Sequence, residues 1–415
     1  MHELKRVSAY QFGVFRILLG LYLLWHFTGL YFYSAELFSA EGVFPDAATN
    51  LTFPYFPNPL YVWDSPQAVN LFLIVLFGAS GLFACGVMRR PAALILWFGW
   101  TALFHRNNLI ANPSLPYVGL ILLLTLLVSP AEKLRPQRRA PAGNAWSFPA
   151  SVYHCAWWLL MAGYSYSGFV KLSSPSWLDG SAFTHVIANP LARDGWIRDL
   201  VSALPEGALR LATWGALGIE ILALPLAFAN KTRPWIWLAT LGLQVGILLV
   251  VNFTDLTLGM VMIHLFTFDP DWLPPRPGKR GRHLVLYDGV CGLCDRTVQF
   301  LLEEDRAGVL SFAPLQGSTA AELRESIGRD ADMSTMLFVE DHDAARHRVT
   351  SRSTGVLRML DAVGGFWRVV SWLRIVPRPI RNSVYRVISR YRYAWFGKFD
   401  SCKLPAAETR QRFLD

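Results

Sequence analysis

Between Tyr10 and Phe268 the chain returns eight times to an apolar stretch: Tyr10 to Leu30, Val69 to Met88, Pro91 to Phe104, Leu115 to Val128, Val152 to Val170, Leu209 to Ala229, Pro234 to Val251 and Leu256 to Phe268. About 20 such residues match the thickness of a bilayer core, where each backbone N–H and C=O must be satisfied within the helix itself. The recurrence predicts a multi-spanning α-helical membrane bundle of about eight helices. Several stretches are shorter than that, and the last is closely bracketed by Asp255 and Asp269. Charge agrees: only 17% of residues are charged, where a soluble chain carries about a quarter. The deficit is confined to the first two thirds, and the chain from Pro274 onward is ordinary and basic.

Tyr10 to Leu30 is too long for a signal-peptide core and has no small-residue cleavage site behind it, so it reads as a retained span. Lys5 and Arg6, Arg89 and Arg90, Lys133 with Arg135, Arg138 and Arg139, Lys231 and Arg233, and Arg276 with Lys279, Arg280 and Arg282 fall on one side of the alternation. The opposite connections are poor in positive charge, and Tyr31 to Gln67 contains no Lys or Arg. By the positive-inside rule, eight spans with both termini in the cytoplasm follow, in the plasma (inner) membrane.

His283 to Cys294 changes the chemistry. Leu284 to Tyr287 has strand length, Asp288-Gly289 breaks it, and Cys291 and Cys294 stand where a helix should begin. A Cys-x-x-Cys pair at a helix N-terminus suits thiol chemistry, because the helix dipole and the free N–H groups of the first turn favour the thiolate. It also suits half a zinc site, but no second pair with ligand spacing follows, so no metal is assigned. Five cysteines make no disulfide framework, and in a reducing cytoplasm the pair should rest as a dithiol served by a thiol reductant. Cys291, taken as the more exposed, is the expected nucleophile, and Cys294 the resolving thiol. Asp288 either accepts a proton from Cys294 or only shapes the turn. Cys402 is either a third redox partner or a packing residue. Cys85 and Cys155 are either a thiol relay or buried packing.

Ionisable residues within the spans are costly and so invite a functional reading. His26, His105 and His154 lie near span ends and read as interfacial, Arg106 and His264 remain candidates, and Arg16 and Glu220 suit a structural ion pair or a polar cavity. Lys171 is the sharpest: in a partly apolar pocket it would supply a neutral amine as a base, or else it snorkels. Gly168-Phe169-Val170-Lys171-Leu172, followed by Trp177-Leu178-Asp179-Gly180, resembles an element of the HTTM superfamily, which includes the vitamin K-dependent gamma-carboxylases. Phe15-Arg16-Ile17, Arg106-Asn107-Asn108 and Leu258-Gly259-Met260 are similar to other landmarks, over roughly residues 8 to 272. The resemblance implies that Lys171 is the base acting on a hydroquinone. Asn108 is followed by Leu109, Ile110 and Ala111 where the carboxylases have a histidine, and their large lumenal domain has no counterpart, so carboxylation is not expected. A quinone or lipid-like ligand is what the resemblance implies.

Tyr287-Asp288-Gly289-Val290-Cys291-x-x-Cys294 and Phe312-Ala313-Pro314-Leu315-Gln316 resemble the DCC thiol-disulfide oxidoreductases. So do Ser353, Gly364-Gly365, Ile375 to Pro379 and Arg392-Tyr393-x-Trp395-Phe396-Gly397. This implies an α/β thioredoxin-like domain. The residue pattern agrees: strands at Leu284 to Tyr287, Val309 to Phe312, Thr335 to Glu340 and Arg348 to Ser351, with helices after Cys294, around Ala320 to Ser326 and from Ser353. Ser334 stands where thioredoxins carry a cis-proline. Between Phe366 and Lys398, Trp367, Trp372, Tyr385, Tyr391 and Trp395 alternate with basic residues, either to dock on anionic lipid or as the core of the last helices. No nucleic-acid partner is expected.

The organisation expected is a membrane bundle at 1–272, a basic linker at 273–282 and a thioredoxin-like domain at 283–415. The function expected is an integral membrane thiol-disulfide oxidoreductase coupled to a bundle that binds a quinone or lipid-like substrate. The alternative is a membrane assembly, maturation or transport factor whose bundle binds a peptide or lipid and whose Cys-x-x-Cys domain is a docking module.

Overall fold

The computed structural model describes residues 7–53, 55–135, 146–275, 280–327, 335–344, 347–400 and 407–414. Lys5, Arg6, Arg138, Arg139, Arg276, Lys279, Ser334 and Cys402, all invoked above, lie outside the described residues. The chain divides into two compact units, Met1–Phe268 and Asp269–Asp415.

In the first unit each apolar stretch is helical: α1 (Ala9–Tyr31), α2 (Pro66–Cys85), α3 (Arg89–Arg106), α4 (Leu115–Leu127), α5 (Ala150–Lys171), α6 (Glu206–Ala227), α7 (Arg233–Val250) and α8 (Thr254–Phe266). Four of them, α1, α2, α6 and α7, are long and apolar enough to cross a membrane. The other four fall short for identifiable reasons. α4 and α8 have 13 residues each, α3 carries Arg89, Arg90 and Arg106, and α5 mixes polar residues into its length. Local signals set the ends. The Ser8 hydroxyl accepts the Gln11 N–H at 3.0 Å, Ser65 caps α2 ahead of Pro66, and Gly86 closes α2 at φ 71°, a left-handed conformation that favours glycine.

Three buried charges tie the start of this unit together. Arg16 and Arg89 converge on Glu132 at 3.4 and 3.0 Å, with side chains essentially out of solvent. Arg89 also donates to the Val128 and Ser129 carbonyls at 2.9 and 3.1 Å, just past the end of α4, and Arg16 to the Leu134 carbonyl at 2.6 Å. Arg16 thus pairs with a carboxylate outside the spans, while Glu220 takes Lys171.

The second unit holds a four-stranded mixed sheet of β1 (His283–Tyr287), β2 (Leu310–Pro314), β3 (Leu337–Glu340) and β4 (Arg348–Ser351), in the order β2-β1-β3-β4. β1 runs parallel to β2, and β3 is antiparallel to both β1 and β4. β2 lies one to two residues later than the sequence places it, and β3 starts at Leu337 rather than Thr335. Side-chain alternation sends Leu284 and Leu286 to one face, with Ala313, Ala320 and Val339. It sends Val285 and Tyr287 to the other, where both cysteines join Val298, Leu301, Phe312 and Phe338. The helices are α9 (Gly292–Glu304), α10 (Ser318–Ile327), α11 (Arg352–Val363), α12 (Gly365–Ser371) and α13 (Arg378–Phe396).

Replacing Glu132 by Gln leaves two buried guanidinium groups without a counter-charge. The expected loss is about 3 kcal/mol or more, read as a lowered thermal midpoint of the detergent-solubilised chain. An unchanged midpoint would show that the two arginines do not need the carboxylate.

Candidate dithiol site

β1 ends at Tyr287, and Asp288-Gly289-Val290 turns the chain into α9. The helix begins at Gly292, between the two cysteines where the sequence reading placed its start; Cys291 is extended (φ −91°, ψ 121°) and serves as the N-cap residue. Cys294 therefore sits inside the first turn.

The expectation that Cys291 is the more exposed thiol is corrected: it is 0% exposed and Cys294 is 7% exposed. The cause is a segment far along the chain. The Gly292 N–H donates to the Gly397 carbonyl at 3.0 Å and the Phe399 N–H to the Val290 carbonyl at 2.8 Å. Cys291 and Lys398 form an antiparallel bridge between them. A Cβ at Gly292 would overlap the Phe396 carbonyl oxygen, so the close approach requires glycine at that position.

Asp288 organises this cap. Its Oδ1 accepts the Val290 N–H at 3.2 Å and Gln316 Nε2 at 3.1 Å. Its Oδ2 accepts the Tyr393 hydroxyl at 2.6 Å and Arg392 Nη2 at 3.3 Å. Burial raises the Asp288 pKa, but the four donors, Tyr393 foremost, outweigh it and hold the carboxyl below the usual range. A carboxylate committed in this way clamps α13 to the turn, which favours the shaping role over proton transfer from Cys294. Burial pushes the Cys294 thiol up to about 12, and Cys291 adds in the same direction through its charge and a hydrogen bond between the two side chains. Arg392 interacts electrostatically with both thiols. Gln316, Arg392 and Tyr393 carry roles that sequence reasoning did not assign. Their only signal was that they sit in segments shared with the DCC resemblance, since no periodicity connects Asp288 with Gln316, 28 positions on, or with Arg392 and Tyr393, 104 and 105 positions on.

Lys171 lies on the last turn of α5, in the first unit. Its Nζ is 2.5 Å from both carboxylate oxygens of Glu220 and 4.6 Å from the Trp177 ring centroid. The amine is thus engaged by a carboxylate and an aromatic face. A different pair faces a pocket. His26, read as interfacial, has Nδ1 2.7 Å from Asp255 Oδ1, and the same carboxylate accepts Tyr22 Oη–H at 3.0 Å and Asn112 Nδ2–H at 3.2 Å. His26, Asn112 and Asp255 line a 340 Å³ pocket with apolar walls that include Trp25, Leu109 and Phe253. Cys85 and Cys155 are exposed, not buried as expected. Among the described residues no group of three His, Cys, Asp or Glu side chains is placed to hold a metal ion.

Residues 285–398 match the profile of the DCC1-like thiol-disulfide oxidoreductases. Over 132 residues the chain is 36% identical to the uncharacterized protein YuxK of Bacillus subtilis (strain 168), spanning 32% of this chain and 93% of that protein. Over 125 residues it is 32% identical to a chloroplastic DCC family protein of Arabidopsis thaliana, spanning 30% of this chain and 70% of that relative. No solved structure matches the chain.

Two outcomes follow from the cap. Gly292→Ala and Asp288→Asn should each speed alkylation of Cys291 in the folded protein, about tenfold for every 1.4 kcal/mol of lost contact. Rates equal to the parent's would show that residues 396–399 do not guard the thiol. For Cys294 the folded value, about 12, lies above the ordinary 9.0, so its burial contributes fully below pH 9 and the contribution is lost as pH rises toward 12. Stability measured by denaturant titration should fall across that window, and Cys294→Ala should remove that part of the slope.

Proposed function

Because the chain belongs to the DCC1-like thiol-disulfide oxidoreductase family through its C-terminal third, we propose that it is an integral membrane thiol-disulfide oxidoreductase with Cys291 as nucleophile and Cys294 as resolving thiol. The observation that carries this is the asymmetry of the pair: Cys291 stands at the N-terminus of α9, and Cys294, inside the first turn, is kept protonated by burial. In the first step the Cys291 thiolate attacks one sulfur of a substrate disulfide. That S–S bond breaks, a mixed disulfide forms, and the leaving sulfur takes a proton. Cys294 then loses its proton and attacks the Cys291 sulfur, which releases the second substrate thiol and leaves a Cys291–Cys294 disulfide. A cytoplasmic thiol reductant resets the pair. The strand order β2-β1-β3-β4, with only β1 and β2 parallel, supports a thioredoxin-like reading of the second unit.

For the first unit the reading is a bundle of eight spans with both termini cytoplasmic, which binds a quinone or lipid-like molecule. The His26–Asp255 pocket supports this better than Lys171 does. Asp255 holds the His26 ring through Nδ1, which leaves Nε2 to meet a ligand oxygen. Lys171 and Glu220 then serve to hold α5 to α6.

A second reading rests on the zero exposure of Cys291: a docking module of an assembly or transport factor, in which residues 396–399 yield only to a peptide partner. Trapping separates the two. Cys294→Ser should accumulate a mixed disulfide with a substrate thiol and Cys291→Ser should accumulate none, scored on non-reducing gels. Trapping by Cys291→Ser alone would reverse the assignment, and none in either variant would favour docking. With a dithiol donor and a soluble quinone, His26→Gln should lose quinone reduction while Lys171→Ala retains it. The opposite result would return the base to Lys171.

A further inference from the structure

The sequence reading favoured packing roles for most aromatics of the C-terminal helices. Trp367 meets that expectation: its ring lies 4.6 Å from that of Phe300, and Nε1 donates to Glu304 at 2.6 Å. Trp372, Tyr391 and Trp395 do not, at 58%, 44% and 58% exposed. They belong to a larger feature. α13 has 19 residues, none of them buried, and its length is about 28 Å.

On α13, Ile380, Val384, Val387, Ile388, Tyr391 and Trp395 are all exposed. Their spacing puts them on one stripe, an arc of about 100° around the helix. Tyr391 and Trp395 stack at 5.2 Å near its end, and Leu373 and Ile375 continue the apolar surface ahead of the helix. Arg378, Arg386 and Arg390 are exposed on the same helix, which carries five arginines and no Asp or Glu between residues 378 and 396. The inner side of the helix is spoken for: Arg392 and Tyr393 hold Asp288, and Arg381 Nη1 donates to Ser353 at 3.1 Å.

We propose that the outer face of α13 lies on an anionic lipid surface, with the apolar stripe in the acyl boundary and the arginines at the phosphates. Apolar, aromatic and exclusively basic groups on one helix are the complement of such an interface. A second copy of the face is disfavoured because it would set three exposed arginines against three with no acidic partner on either helix. Nucleic acid would leave the stripe unmatched. The same helix ends in the cap over Cys291, so lipid contact brings the dithiol to the bilayer surface and selects substrates held there. The inference rests on the reading that the first unit spans a bilayer.

The test uses the full chain in nanodiscs containing phosphatidylglycerol. A nitroxide is attached through a clickable residue at position 384, 388 or 386. The oxygen-to-nickel accessibility ratio should be several-fold higher at 384 and 388 than at 386, and should fall several-fold at 388 in discs of phosphatidylcholine alone. Water-like ratios at all three positions would overturn the docking. Dipolar broadening that vanishes on dilution with unlabelled chain would assign the face to a second copy. A high ratio indifferent to lipid charge would overturn the anionic assignment. Failure of the chain to enter discs would overturn the spanning reading together with the inference, whereas entry with water-like labels overturns the inference alone.

Discussion

The second unit is organised around one buried carboxylate. Asp288 stands where β1 gives way to α9, and it collects donors from its own turn, from the end of β2 and from α13. The donors come from three separate places in the chain, two of them from α13, so the carboxylate fixes where the C-terminal segment crosses Cys291. Without it, Arg392 would keep a buried flank and lose its counter-charge, and the bridge between Cys291 and Lys398 would depend on backbone contacts alone. An anion with this many donors resists protonation, and so the clamp persists across neutral pH.

Periodicity found what is local. The apolar runs located α1 to α8, and the short apolar run Leu284 to Tyr287 located β1, which is buried on both faces. It could not decide which helices cross a bilayer, because length and charge content separate α1, α2, α6 and α7 from helices with the same apolar signature. The dithiol was legible as a motif, and its burial was not. What covers Cys291 comes from Phe396 to Phe399, more than 100 residues away, through backbone hydrogen bonds that leave no side-chain pattern. The pairing of Lys171 was hidden for a related reason. Its partner Glu220 lies on a different helix, 49 positions on, and a span that looks apolar around a lysine says nothing about the neighbour that will meet it.

Burial also determines how the two thiols act in sequence. Burial pushes the Cys294 thiol up and favours its protonated form, so under the proposed mechanism it acts second. The largest cause of that shift is removal from water, and the segment that hides Cys291 also meets Gly292 at the start of the turn that holds Cys294. On the proposed mechanism, a substrate that lifts residues 396–399 to reach Cys291 would also open the first turn of α9, where Cys294 sits. A partner that docks without lifting the segment would leave Cys291 covered.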